Sequence, residues 1–190
     1  MKYKIAALTL ALSPLLAGHA LAMTKAEYKA VEDRIEVDYK ANKQRCATLA
    51  GNTKDICQAE AKGIEKVSKA QLEAQFKPTP SAEFAVREAR ADAQYEIAKE
   101  KCDDLSGNTK DVCEKDAKAA HVRALADAKV AKTDAETADV RVEKLAAAQK
   151  SAVGDKLSAD YSAAKERCDA LAGSGKDACI ADAKVRFGIR

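Results

Sequence analysis

Six cysteines are the residues in this chain best placed to do chemistry, and they fall into three identical pairs. Cys46 and Cys57, Cys102 and Cys113, and Cys168 and Cys179 each enclose ten residues. Thiols at such a spacing can form disulfides, bind a metal or run redox exchange, and the spacing itself discriminates. Structural zinc wants ligand pairs a few residues apart with histidines nearby. Outside the first 22 residues the chain has one histidine, His121. Haem attachment and thioredoxin-like exchange need C-x-x-C, which is absent. Disulfides are the reading that remains, and they imply an oxidising compartment.

Other chemistry is hard to assemble from this composition. No glycine-rich phosphate loop and no Ser/His/Asp grouping is present. Adjacent acids such as Asp103 and Asp104 point to different faces of a helix. The sequence therefore predicts a chain that is not an enzyme, with no catalytic, metal or cofactor-binding residues and no cofactor.

Each cysteine pair sits in a longer repeat. Tyr39 to Lys62, Tyr95 to Lys118 and Tyr161 to Lys184 align without gaps, each in the order Tyr, Cys, Gly, Cys, Ala-Lys. Ala, Lys and Glu dominate the segments around the turns, and these residues lose little side-chain freedom in a helix. At the centre, Gly51, Gly107 and Gly173 stand where a left-handed residue would stop a helix. Asn52, Asn108 and Ser174 follow as N-cap candidates. Asp55, Asp111 and Asp177 stand three positions later, where they would complete a capping-box-like pair. Each repeat reads helix, tight turn, helix.

The cysteines lie equally far from that turn, and in an antiparallel hairpin such positions face one another. The local pairing Cys46–Cys57, Cys102–Cys113 and Cys168–Cys179 follows, provided the backbones come within disulfide reach. Small neighbours Ala47, Ala61, Ala117 and Ala183 would permit that approach. An apolar stripe leads into each turn: Tyr28, Val31, Ile35, Tyr39, Cys46 and Leu49 in the first copy. Phe84, Ala91, Tyr95, Ala98, Cys102 and Leu105 form the second, and Val153, Leu157, Tyr161, Ala164, Cys168 and Leu171 the third. Asn42 and Arg87 interrupt it. The spacing is close to a coiled-coil seam, and the three tyrosines are expected to pack within it. The fold class is thus all-α: three extended, coiled-coil-like antiparallel helical hairpins, each with a disulfide near its turn.

The boundaries follow from punctuation. Residues 1–22 read as an export leader, with Lys2 and Lys4 ahead of an apolar run and Ala20-Leu21-Ala22 as the peptidase site, cut between Ala22 and Met23. The apolar run is shorter than the roughly 20 residues of a membrane span, so no stable span is expected after cleavage. The first hairpin occupies 23–77, and a proline break follows at 78–80. The second hairpin takes 81–150, with Ser81 as its N-cap candidate, and the third takes 151–190.

Of 33 basic and 30 acidic residues, two basic ones lie in the leader, which leaves a remainder near +1. The charges alternate in sign along the chain, as on a solvated helix surface, and nucleic-acid binding has no support. Leu, Ile, Val and Phe contribute only 27 of the 168 residues after the leader, so a thick core is not expected.

The repeat resembles a group of uncharacterised exported proteins of proteobacteria, particularly β-proteobacteria, whose names often invoke the cell-envelope protein TolA. Cys102-Asp103-Asp104-Leu105-Ser106-Gly107-Asn108 and Lys110-Asp111-Val112-Cys113 carry the likeness. The resemblance implies a periplasmic location; secretion is the alternative destination. Three roles fit these features, in this order: a structural or stress-related envelope protein acting through extended helices, a chaperone-like adaptor for unfolded or partner proteins, and a binder of anionic envelope surfaces. Partners would be other envelope proteins or further copies of the chain.

Overall fold

A computed structural model describes residues 23–136 and 141–189. Six helices account for nearly all of them: α1 (Lys25–Ala47), α2 (Gly51–Phe76), α3 (Pro80–Cys102), α4 (Gly107–Glu136), α5 (Arg141–Cys168) and α6 (Gly173–Phe187). No strand occurs among the described residues. The expected leader, including Ala22 of the cleavage site, lies outside them.

Local chemistry explains most of the helix ends. Thr24 caps α1 through a full capping box. Its hydroxyl accepts from the Glu27 N–H at 3.2 Å, and the Glu27 carboxylate accepts from the Thr24 N–H at 2.8 Å. At α3 the capping residue is Thr79, which accepts from the Ala82 N–H at 3.0 Å, and not Ser81. Pro80 takes the first helical position, where a missing N–H costs nothing. The break is therefore 77–79.

The glycine turns differ from the expected arrangement in two respects. Gly51, Gly107 and Gly173 are left-handed, with φ near +57°, +56° and +56°, but each opens the outgoing helix instead of closing the incoming one. The incoming helix ends earlier in tight i→i−3 bonds: the N–H groups of Leu49, Leu105 and Leu171 donate to the carbonyls of Cys46, Cys102 and Cys168 at 3.1, 2.9 and 3.0 Å. The residues at the N-cap positions of α2 and α6 are Ala50 and Ala172, which have no side chain to offer. Asn52 is engaged elsewhere, and no acid stands in the first turn of α2, α4 or α6.

Among the described residues, each helix packs only on its neighbours in the chain. The six therefore form a single layer of alternating direction, and the hairpins are not separate beads, because α2 packs on α3 and α4 on α5 as they do within hairpins. The alternation places turns 48–50, 103–106 and 169–172 on one edge and the proline break on the other.

A single layer has no centre, and its buried side chains show it. Nine are alanines, three are Cys46, Cys102 and Cys168, and only Leu72 and Val86 are larger aliphatics. No polar or charged residue is buried among the described residues. On α2, Ala61 and Leu72 stand eleven residues apart, as do Gly63 and Ala74. Eleven residues make three turns, so these are two separate faces, as a helix with a neighbour on either side requires.

The predicted apolar stripe is buried only in part. Val31, Leu49, Leu105 and Leu171 are exposed, and Val153 is more than half exposed. The cause in the third copy is length. Helix α6 stops at Phe187, whereas α2 and α4 run a further three turns or so past the matching point, so α6 does not reach Val153, which is more exposed than its first-copy counterpart Val31. Of the four alanines expected to line the cysteines, Ala61 and Ala183 are buried, Ala117 is half-buried and Ala47 is exposed.

The division expected at 150/151 is displaced, because α5 runs unbroken from Arg141 to Cys168. Gly154 stands inside it with open space where a Cβ would lie. One interior glycine costs about 1 kcal/mol and does not end a helix that packs along its length.

Candidate functional site

The turn edge gathers the residues that all three repeats share. Cys46 bonds Cys57 with a Cα separation of 5.4 Å; Cys102–Cys113 and Cys168–Cys179 each span 5.7 Å. The first cysteine of each pair is fully buried, and no free thiol remains. These bonds tie incoming to outgoing helices and leave no thiolate for nucleophilic or metal chemistry. Among the described residues, no group of three or more His, Cys, Asp or Glu is arranged to hold a metal ion.

Around each bond the edge is charged. Lys110 donates to Asp103 at 2.7 Å across the second turn, and Lys176 to Asp169 at 2.8 Å across the third. Those hydrogen bonds hold both ammonium groups above their ordinary pKa, and Asp169 below that of a free carboxylate. The first repeat has Ala47 in place of the acid opposite Lys54. Its turn is tied instead to the next hairpin, since the Asn52 side-chain amide donates to the Glu100 carbonyl at 2.6 Å. That bond is a second one to a carbonyl in the last turn of α3, which already accepts from the Asp103 N–H at 3.2 Å. Nothing in the spacing of Asn52 announces this role.

Above the edge, α2 floors an open recess of about 430 Å³ walled by α1 and α3. Gly63 lies at its base, and α3 approaches so closely that a Cβ there would stand 2.8 Å from that of Ala93. Lys43, Lys62 and Lys66 line it from α1 and α2, and Asp92, Glu96 and Glu100 from α3. Asp55 also lines it from α2, so charges of both signs face one another across an open trough.

Tyr39 stands half-buried in this recess with the Lys43 ammonium 5.5 Å from its ring centre. Tyr95 carries two such cations, Lys99 at 5.6 Å and Lys118 at 5.2 Å. The third copy keeps the same residue types as Tyr161, Lys165 and Lys184. Tyr39 and Tyr95 thus pack partly along their hairpins and partly beneath lysines, a cation–π arrangement worth about 0.5–1 kcal/mol at exposed sites.

The His121 side chain is only 11% exposed. Its Nε2 pairs with Asp92 at 2.7 Å, its face stacks on Tyr95 with centroids 4.8 Å apart, and its Nδ1 is buried without a partner among the described residues. This cluster joins α3 to α4. Three further ion pairs, Arg123–Asp160, Lys156–Asp127 and Arg167–Asp116, join α4 to α5.

No helix among the described residues is long and apolar enough to cross a membrane. Comparison with protein-family models, with curated proteins and with solved structures gives no match for this chain.

Proposed function

We propose that this chain is a non-enzymatic structural protein of the bacterial cell envelope, working in the periplasm as a helical spacer or scaffold. The observation that carries this reading is the stapled layer: six consecutive helices in one sheet, with a disulfide at every glycine turn. A helix the length of α4 spans about 45 Å at 1.5 Å per residue, enough to hold partners apart. Three disulfides suit the oxidising periplasm. The surface charges are paired or alternate in sign, which keeps such a body solvated without a strong field.

The reading is tested in the source organism by fractionation and deletion. The protein is expected in the periplasmic fraction, and cells lacking it should lose tolerance to detergent or osmotic stress, restored by the intact gene. Suppression of client aggregation at stoichiometric ratio by the purified protein would instead favour the adaptor role.

A second reading has its own observation. The Tyr-Lys-Lys residues recur in every hairpin, the rings of Tyr39 and Tyr95 are capped by lysine cations, and such a group would suit an anionic envelope surface. Salt-sensitive co-sedimentation with anionic vesicles is its requirement; indifference to those vesicles removes it.

A further inference from the structure

The outermost helices, α1 and α6, each pack on one neighbour only. Their outer faces bear two of the most exposed aliphatic side chains in the described residues, Val37 at 63% and Val185 at 82%. Their positions are informative because the three copies align without gaps. A residue of the first copy has its counterpart 56 positions on in the second and 122 on in the third, as Cys46, Cys102 and Cys168 show.

In that register the junctions between hairpins can be read off the fold and carried to the ends. At the α2–α3 junction, Gly63 meets Ala93. The counterpart of Gly63 in the third copy is Val185, and the counterpart of Ala93 in the first is Val37. At the α4–α5 junction, Asp116 pairs with Arg167. Carried outward, these become Asp182 on α6 and Arg45 on α1; the α2–α3 junction has Glu60 and Lys101 at the same places, with the same order of charge. The Asn52 amide reaches the Glu100 carbonyl, and the matching residues are Ser174 and Gln44. A hydrophobic pair, an acid–base pair and a polar side chain facing a helix-end carbonyl thus recur on two surfaces that no single copy can bring together.

We propose that the chain self-associates head to tail, the outer face of α6 in one copy packing on the outer face of α1 in the next and so continuing the helical layer. The partner is a second copy of this chain. Two valines cannot come as close as Gly63 and Ala93 do, so the junction is wider than the internal ones and is filled by aliphatic side chains instead of by backbone approach. Helix α6 is only 15 residues long and covers only the turn-proximal half of α1, so the interface is small and association depends on protein concentration. Because the two faces differ, the contact is heterologous and leaves one free face of each kind at the ends of every oligomer. The inference goes beyond the scaffold reading and stands on the repeat register alone.

The test uses the full oxidised chain and sedimentation equilibrium over a wide concentration range, with Val37→Asp and Val185→Asp made separately. Both side chains are exposed, so circular dichroism should show unchanged helix content. The wild type is expected to form a concentration-dependent series of oligomers. Each variant alone should remain monomeric, and their mixture should form a 1:1 dimer and stop there, since each supplies the face the other lacks. Arg45→Asp and Asp182→Arg should each weaken association, and the two together in one chain should restore it. Self-association of Val185→Asp alone would overturn the proposal in favour of an α1–α1 pair. A wild type that stays monomeric at every concentration would overturn self-association altogether.

Discussion

Alanine substituted at two interior helix glycines, Gly63 and Gly154, should change stability in opposite directions. At Gly154 an added Cβ meets nothing within 4 Å. The substitution then acts only through helix propensity and the freedom of the unfolded chain, and should stabilise by about 1 kcal/mol. At Gly63 the same gain is available, but the new Cβ would stand 2.8 Å from the Ala93 Cβ and 3.6 Å from its Cα. Neither atom is at the end of a flexible side chain, so α2 and α3 must separate. Overpacking of this kind costs about 1–3 kcal/mol, which outweighs the propensity gain and leaves a net loss of about 1 kcal/mol. Adding Ala93→Gly to Gly63→Ala removes the overlap and should return stability close to that of wild type, exposing a coupling between the two sites. Urea denaturation followed by far-UV circular dichroism, with disulfides intact and at low protein concentration, measures these proteins and Ala93→Gly alone, which closes the cycle. If Gly63→Ala stabilises as much as Gly154→Ala, the close approach of α2 to α3 is wrong.

Other expectations concern the turns and caps. Gly107→Ala places a Cβ in open space at φ +56°, so its cost is conformational alone, about 1–2 kcal/mol by thermal or urea melts. Replacing Cys102 and Cys113 together by serine should remove about 2–3 kcal/mol in the loop-entropy account of a closure this short, read as a lower denaturation midpoint. Non-reducing peptide maps of that variant should still show Cys46–Cys57 and Cys168–Cys179. At the start of α1, hydrogen bonds from the Thr24 backbone and then its side chain hold the Glu27 carboxyl below its ordinary value of 4.5. A carboxyl with a depressed folded pKa stabilises above its unfolded pKa, and the contribution is lost as pH falls through the folded value. Amide exchange in the first turn of α1 should therefore be pH-independent in protection near neutrality and lose protection below about pH 4; Thr24→Ala, which keeps the backbone bond and removes only the hydroxyl, should weaken that dependence, and Glu27→Ala should abolish it.

The parts of this fold that rest on local chemistry are legible in the sequence. Glycine and proline mark the turns, and the helix formers between them account for the helical segments. Geometry about a turn places Cys46 opposite Cys57. The parts that rest on contact between hairpins are not legible, and the reason is alanine. Alanine favours a helix wherever it stands, exposed or buried, so Ala119, Ala126 and Ala152 give no sign that they are the core, while the leucines and valines that seem to mark a seam are half out of it. Gly63 reads as a weak point in a helix until Ala93 is seen beside it. Asn52 reads as a cap by type, and only the arrival of α3 shows that its amide is taken by Glu100. The division at 150/151 is a further case, since packing of α5 on α4 carries one helix through it and past Gly154.

The cysteine edge also fixes how the chain would bear a load. When the two ends of the chain are drawn apart, tension arriving at Cys46 crosses directly through sulfur to Cys57, and likewise at Cys102 and Cys168. The glycine turns then lie off the line of force, and each copy withholds about 36–40 Å of contour length from extension, at 3.3–3.6 Å for each residue step bypassed. Reduction would release that slack in three equal steps.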